Sequence, residues 1–152
     1  EGPGLLASIK EWGAEKIFLD LKLHDIPRTV ERARRSAGRL PVDFLSVHCE
    51  GLWTGPAERK PTEQEPGPSL LGITVLTSLP AEDLPRLGYA NGLSITDLVL
   101  TRAEIAEKAG CAGVVTSWRG RGFLGKFGLG SVSCHGAYSR VIWSGTPASS
   151  LA

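Results

Sequence analysis

The chain has 152 residues, 41% of them apolar, with 17 basic and 16 acidic side chains for a formal charge of +1. That length suffices for one hydrophobic core, and the apolar content excludes a disordered chain. No stretch is apolar for long enough to cross a bilayer, and the start lacks the basic region, apolar run and cleavage site of a secretory leader, so no membrane partner is expected.

The small net charge conceals a break. All 16 acidic residues lie in the first 117 positions with 13 of the basic ones, a balance of −3, while Trp118–Ala152 holds four basic residues, seven glycines and no acid, a balance of +4. Residues 1–117 and 118–152 are therefore read as two segments. Four basic residues over 35 positions with few aromatics are too sparse for a nucleic-acid partner.

In chain order, GPGLLASIKEWG predicts a short helix with Leu5, Leu6, Ile9 and Trp12 near one face and Gly13 at its C-terminal end. Its position at the start of a chain without an initial Met leads to the expectation that the natural N-terminus lies upstream. In the next segment, KIFLDLKL, the unbroken Ile17–Leu19 run suits a strand covered on both faces, as in a parallel sheet. Pro27 can open a helix, and TVERARRSAGR supplies it, with Val30, Ala33 and Ala37 inward. VDFLSVH (42–48) predicts a second buried strand, followed by a weaker helical segment over 53–60 and the polar, Pro-rich loop PTEQEPGP. LLGITVLTS (70–78) predicts a third strand, with Ile73, Thr74 and Val75 β-branched together. Thr96 is the expected cap of a helix over 97–109 with Leu98, Ile105 and Ala109 inward and Gly110 ending it. AGVVTS (112–117) predicts a fourth strand, and beyond it only 138–143 has the pattern of a short strand.

Strand and helix alternate four times before residue 118, which predicts an α/β fold with parallel strands. No glycine-rich turn of the dinucleotide-binding type follows any strand. Polar residues instead gather at the C-terminal strand ends: Asp20 and Lys22, His48, Thr77 and Ser78, Thr116 and Ser117. Chemistry supplied by successive strand ends marks a β/α barrel, here an incomplete TIM barrel of about four central βα units. Cys49, Cys111 and Cys134 show no metal-ligand spacing and an odd count, which favours reduced thiols in a cytoplasmic protein. HCEG and SCHG place His near Cys in two distant segments, too far apart in sequence to argue for a zinc site.

The segment Ile17–Thr29, IFLDLKLHDIPRT, stands out as the candidate active site. Asp20 and Lys22 are two apart, so on an extended strand both side chains point the same way, into the barrel mouth, with Leu19, Leu21 and Leu23 toward the outer helices. Asp25 lies past the strand and need not face the same site. A satisfied ion pair at a strand end is the plainer reading of Asp20 and Lys22. Two charges beside a four-residue apolar run favour a functional one. His24 reads equally as a surface residue or a support to the site.

At FLDLKLHDIP the chain resembles the orotidine 5′-phosphate decarboxylase family in its bacterial form. The resemblance continues through VDFLSVH, LLGITVLTSL, DLPRLG and AGCAGVVTS, and so spans about residues 1–117. Phosphopentulose decarboxylases and hexulose-phosphate synthases share the DxKxxD frame and are the neighbouring readings. The resemblance implies removal of CO2 from orotidine monophosphate to give UMP in pyrimidine synthesis, with no metal and no organic cofactor. It implies that Asp20 stands near the substrate carboxylate and that Lys22 stabilises the carbanion and donates the proton. It also implies that Asp25 reaches the partner's site in a homodimer. Thr29 would contact the ribose or phosphate side across the dimer, Ile26 would join the substrate contacts, and Ser78, with Thr77 second, would meet the pyrimidine. For Ser78 a cap or turn role is the plainer alternative.

The family's array contains a first Lys on a preceding strand, and its later strands carry a VTPGIRP-like phosphate loop and a phosphate-gripping Arg. None of these can be found in the sequence. Residues 118–152 read like translation in a shifted frame, and the 152-residue polypeptide is expected to fold poorly and to lack decarboxylase activity, which is assigned to a full-length parent.

Overall fold

The computed structural model describes residues 2–52, 67–76, 78–117, 130–132 and 139–143. Helix α1 (Pro3–Glu11) leads into β1 (Phe18–Leu23), α2 (Pro27–Ala37) and β2 (Phe44–His48). A single 3-10 turn (Cys49–Leu52) follows β2, and β3 (Ser69–Ile73) is followed by two more (Ala81–Asp83 and Pro85–Leu87). Then come α3 (Ile95–Lys108), β4 (Gly113–Ser117), β5 (Gly130–Val132) and β6 (Ser139–Trp143).

The described strands form one sheet in the order β1-β2-β3-β4-β6-β5. The first four are parallel and neighbour one another in chain order, the winding of a barrel wall, whereas a doubly wound sheet reverses its order at a switch point. Strand β6 joins antiparallel to β4, Gly113 opposite Trp143, and β5 pairs antiparallel to β6.

The buried runs of β2 and β3 become strands covered on both faces, whereas β1, expected to be covered likewise, has no fully buried residue because it leaves the ladder at its charged segment. Leu45, Ser46 and Val47 are all 0% exposed, so neither parity of β2 meets water. The main core packs Leu45, Val47, Leu70 and Val114 of the sheet against Val30 and Ala37 of α2 and Ala103, Ala106 and Ala109 of α3. A smaller cluster of Val75, Leu84, Leu98 and Val99 lies under the loop after β3.

Helix α3 settles close to β3 because its inner residues are small and β3 presents Gly72. A Cβ at Gly72 would stand 2.8 Å from Cys49 Sγ and 2.9 Å from Ala106 Cβ. Cys49 and Cys111 are free and buried, and burial pushes both thiols up to about 12, which keeps them protonated and unreactive. Cys134 lies outside the described residues.

Several local expectations need correction. Ser94, not Thr96, caps α3: its hydroxyl accepts the Asp97 N–H at 3.1 Å while the Asp97 carboxylate accepts the Ser94 N–H at 3.1 Å, a reciprocal box that Thr96 is placed two residues too late to form. Strand β3 stops at Ile73 rather than running to residue 78, because the Thr74 carbonyl leaves the ladder to accept Arg102 Nη1 at 2.5 Å. Arg34 takes the buried place on α2 beside Val30 and Ala37, and Ala33 is half-buried. The Arg34 Nε donates to the Pro68 carbonyl at 3.2 Å, which is how a guanidinium is tolerated there. Trp12 is 75% exposed, so the face predicted for α1 is carried by Leu6 and Ile9, which are half-buried. The helical segment expected over 53–60 lies outside the described residues.

At the N-terminal end of the sheet, Asp43 ties three elements together. Its carboxylate accepts Lys10 Nζ at 3.2 Å, Lys16 Nζ at 2.9 Å and the Ile17 N–H at 2.9 Å. Burial works to raise the Asp43 carboxyl, but these three donors outweigh it and hold the group below its ordinary value.

Candidate active site

The charged segment of β1 is not a regular strand. Its ladder with β2 pairs Phe18 with Phe44 and Leu19 with Leu45, then resumes only at Leu23 opposite Val47. Three residues of β1, Asp20, Leu21 and Lys22, therefore stand opposite Ser46 alone. The excess is taken up in a bulge, and Lys22 sits at φ 51, the one non-glycine residue with positive φ among those described. A side chain held in that left-handed region costs on the order of 1–2 kcal/mol, which packing elsewhere must offset. The bulge also explains why Leu21, expected to face the outer helices, is 55% exposed, while Leu19 and Leu23 pack on the core as predicted.

Within the bulge, Lys22 Nζ and Asp20 Oδ2 form a close ion pair. The other carboxylate oxygen of Asp20 accepts the Ser46 hydroxyl at 2.6 Å, and the same hydroxyl oxygen accepts the Lys22 N–H at 2.9 Å. Partial burial works to raise the Asp20 carboxyl. The hydrogen bonds from Lys22 and Ser46, with the Lys22 charge, outweigh it and hold Asp20 below its ordinary value. The carboxylate is thus ionised and oriented, with an ammonium beside it.

The remaining residues singled out in the sequence are placed less centrally. Asp25 is exposed, its Oδ1 accepting the neighbouring Ile26 N–H at 2.6 Å. Ile26 is 67% exposed and Thr29 is exposed on the first turn of α2. All three are exposed on the stretch that leads from β1 into α2. Ser78 is exposed at the rim of a cavity, and Thr77 lies outside the described residues.

That cavity, of about 710 Å³, opens at the C-terminal end of the sheet among the loops after β1, β2 and β3. Its polar lining includes His24, His48, Glu50, Tyr89 and Arg102, of which Tyr89 and Arg102 carry no signal of a site in the sequence. Arg102, on the buried face of α3, pairs with Glu50, donates Nη2 to Tyr89 Oη at 2.7 Å and holds the Thr74 carbonyl. Tyr89 Oη in turn donates to Glu50 at 3.3 Å, and His24 Nε2 lies 3.4 Å from Glu50. Glu50 is the hub that joins the loops after β1 and β2 to α3. His24 therefore supports the site's rim, its ring 4.9 Å from that of His48. Burial, with the charges of His24, Arg102 and Lys22, pushes His48 below its ordinary value against the opposing pull of Asp20.

The signals for the missed residues were present but weak. Ser46 is a lone hydroxyl inside an apolar strand, and Arg102 is a lone cation among inward α3 positions. Either reads as a tolerated polar residue until its partners are known.

The sequence profile of the family described as Orotidine 5'-phosphate decarboxylase / HUMPS matches residues 1–127. The chain belongs to this family. Among relatives, it is 44% identical over 123 residues to the orotidine 5'-phosphate decarboxylase of Syntrophus aciditrophicus strain SB, covering 76% of this chain and 48% of that protein. It is 40% identical over 116 residues to the orotidine 5'-phosphate decarboxylase of Pseudomonas fluorescens strain SBW25, covering 74% of this chain and 49% of that protein. The crystal structure of orotidine 5'-phosphate decarboxylase from Lactobacillus acidophilus superposes with a TM-score of 0.60 at 30% identity, covering 74% of this chain and 52% of that one. The chain spans about half the length of the curated relatives it matches. The incomplete α/β barrel predicted from the alternation of strands and helices is the fold that these decarboxylase relatives and the sheet order support together.

Proposed function

We propose that this chain carries the decarboxylating segment of an orotidine 5′-phosphate decarboxylase, acting on orotidine 5′-monophosphate. The observation that carries the reading is the Asp20–Lys22 pair on the β1 bulge of a chain in this family. In the proposed reaction the bond between the pyrimidine ring carbon and the carboxylate carbon breaks. CO2 departs, and the electron pair stays on the ring carbon. Asp20, kept anionic by its donors, lies beside the substrate carboxylate and loses a repulsion as the charge moves into the ring. Lys22 faces the carbon that gains the charge, stabilises it and transfers its proton there, giving UMP. Ser78 approaches the pyrimidine with Thr77 second, and the step draws on side chains without a metal or organic cofactor.

The exposure of Asp25, Ile26 and Thr29 supports a role at a partner subunit's site in a homodimer, since exposed groups are free to meet a second chain. A cytoplasmic location belongs to the same reading. No helix among the described residues is long and apolar enough to cross a membrane. The charge break at position 117 supports treating 118–152 as a segment apart. Its coding DNA read in three frames tests that: a VTPGIRP-like stretch beyond codon 117 in another frame upholds it, and an uninterrupted match in the present frame alone opposes it.

The enzymatic reading is tested by placing residues 1–117 into the matching stretch of the Syntrophus aciditrophicus relative. The chimaera is expected to convert orotidine monophosphate to UMP, and Lys22→Ala in it to lower kcat by at least about a thousandfold. A chimaera that folds and binds UMP without releasing CO2 would sink the assignment.

A further inference from the structure

Ser46 is the residue that sets the geometry of the charged pair. It stands alone opposite the three-residue excursion Asp20–Leu21–Lys22, where β1 has left the ladder and its backbone groups have lost their regular partners on β2. A hydroxyl offers one donor and two acceptor sites, and here both kinds are in use. The hydrogen goes to Asp20 Oδ1 at 2.6 Å, and a lone pair receives the Lys22 N–H at 2.9 Å. Ser46 is 0% exposed, so water does not compete for either bond. With Lys22 Nζ on the second oxygen, both oxygens of Asp20 are held and the plane of the carboxylate is defined. The bond to the Lys22 N–H also lies on the very residue whose φ is 51, the conformation that an L side chain does not adopt unaided.

We propose that Ser46 is a positioning residue for the decarboxylation, its buried hydroxyl fixing the Asp20 carboxylate and the Lys22 backbone at once. An aliphatic side chain of similar size fills the same space and makes neither bond. The role rests on the decarboxylase reading, but its test needs no turnover, so the two can fail separately.

The test is a titration of the Asp20 carboxyl by carbon-13 NMR in the chimaera described above, together with hydrogen exchange of the Lys22 amide. Ser46→Ala is expected to move the Asp20 midpoint upward, because a donor to the ionised form is gone, and to speed Lys22 amide exchange about tenfold. Ser46→Thr and Ser46→Val share one shape and differ in the hydroxyl. Thr is expected to keep the low midpoint and slow exchange, and Val to lose both, which decides the matter even if Ser46→Ala does not fold. An Asp20 midpoint that stays put in Ser46→Ala overturns the proposal, and so do Thr and Val variants that titrate alike. A chimaera without decarboxylase activity would leave the titration result standing and remove its catalytic meaning.

Discussion

Lys22 carries two burdens in one residue: an ammonium beside Asp20, and a backbone in the left-handed region. The second is separable by substitution. Lys22→Gly and Lys22→Ala both delete the amine, but only glycine relieves the strain at φ 51. Lys22→Gly is expected to be about 1 kcal/mol more stable than Lys22→Ala, as read by urea denaturation of the two variants. Equal stabilities would mean that the backbone at this position is not held as described. The half-exposed ion pair itself contributes little to folding, since side chains of this exposure are screened by water. Strain kept at a charged pair that adds little stability motivates the catalytic role proposed for it.

At the scale of elements, the close approach of α3 to β3 depends on a glycine. Gly72→Ala would bring a methyl to within 2.8 Å of Cys49 Sγ and 2.9 Å of Ala106 Cβ, neither of which is the free end of a flexible chain. The substitution is expected to cost about 2 kcal/mol in urea denaturation, by forcing helix and strand apart. It is also expected to displace Arg102, about half-way along the same helix, from the Thr74 carbonyl. The alternation of β1, α2, β2, β3, α3 and β4 was legible because each is a run of one periodicity bounded by Pro, Gly or a polar cap. Their exact ends were less legible. Ser94 and Thr96 are both capping types, and only the reciprocal bond with Asp97 chooses between them. Likewise the β-branched run through Val75 reads as strand, and the competing bond from Arg102 to Thr74 ends it at Ile73.

Across the whole molecule, the loops at the C-terminal end of the sheet are joined by charge. His24, Glu50, Tyr89 and Arg102 form one network, with His48 beside it. Because His48 lies below its ordinary value of 6.5 in the folded chain, the unfolded chain takes up a proton first as the pH falls. Its contribution to stability is therefore complete above that value and is lost as the pH drops from there through the folded pKa. Denaturation at intervals from about pH 7 to about pH 5 is expected to show a steeper loss for the natural chain than for His48→Gln. Parallel curves would place His48 in a solvated setting instead. Asp20 and Asp43, both held below the ordinary carboxylate value, add a further loss of the same sign at lower pH, below 3.8.

By itself the sequence determined the alternation of elements, the barrel class and the segment that bears Asp20 and Lys22, because periodicity, breakers and a charged motif are local properties of the chain. Only the tertiary structure decided how that segment is held. Ser46 meets Asp20 and Lys22 across 26 and 24 positions of sequence, and Arg102 meets Thr74 across 28. Ser46 and Arg102 are each bland where they stand in the chain. The bulge, the positive φ at Lys22 and the orientation of the carboxylate all arise from which residue of β2 lies opposite, and strand register is a property of the folded sheet.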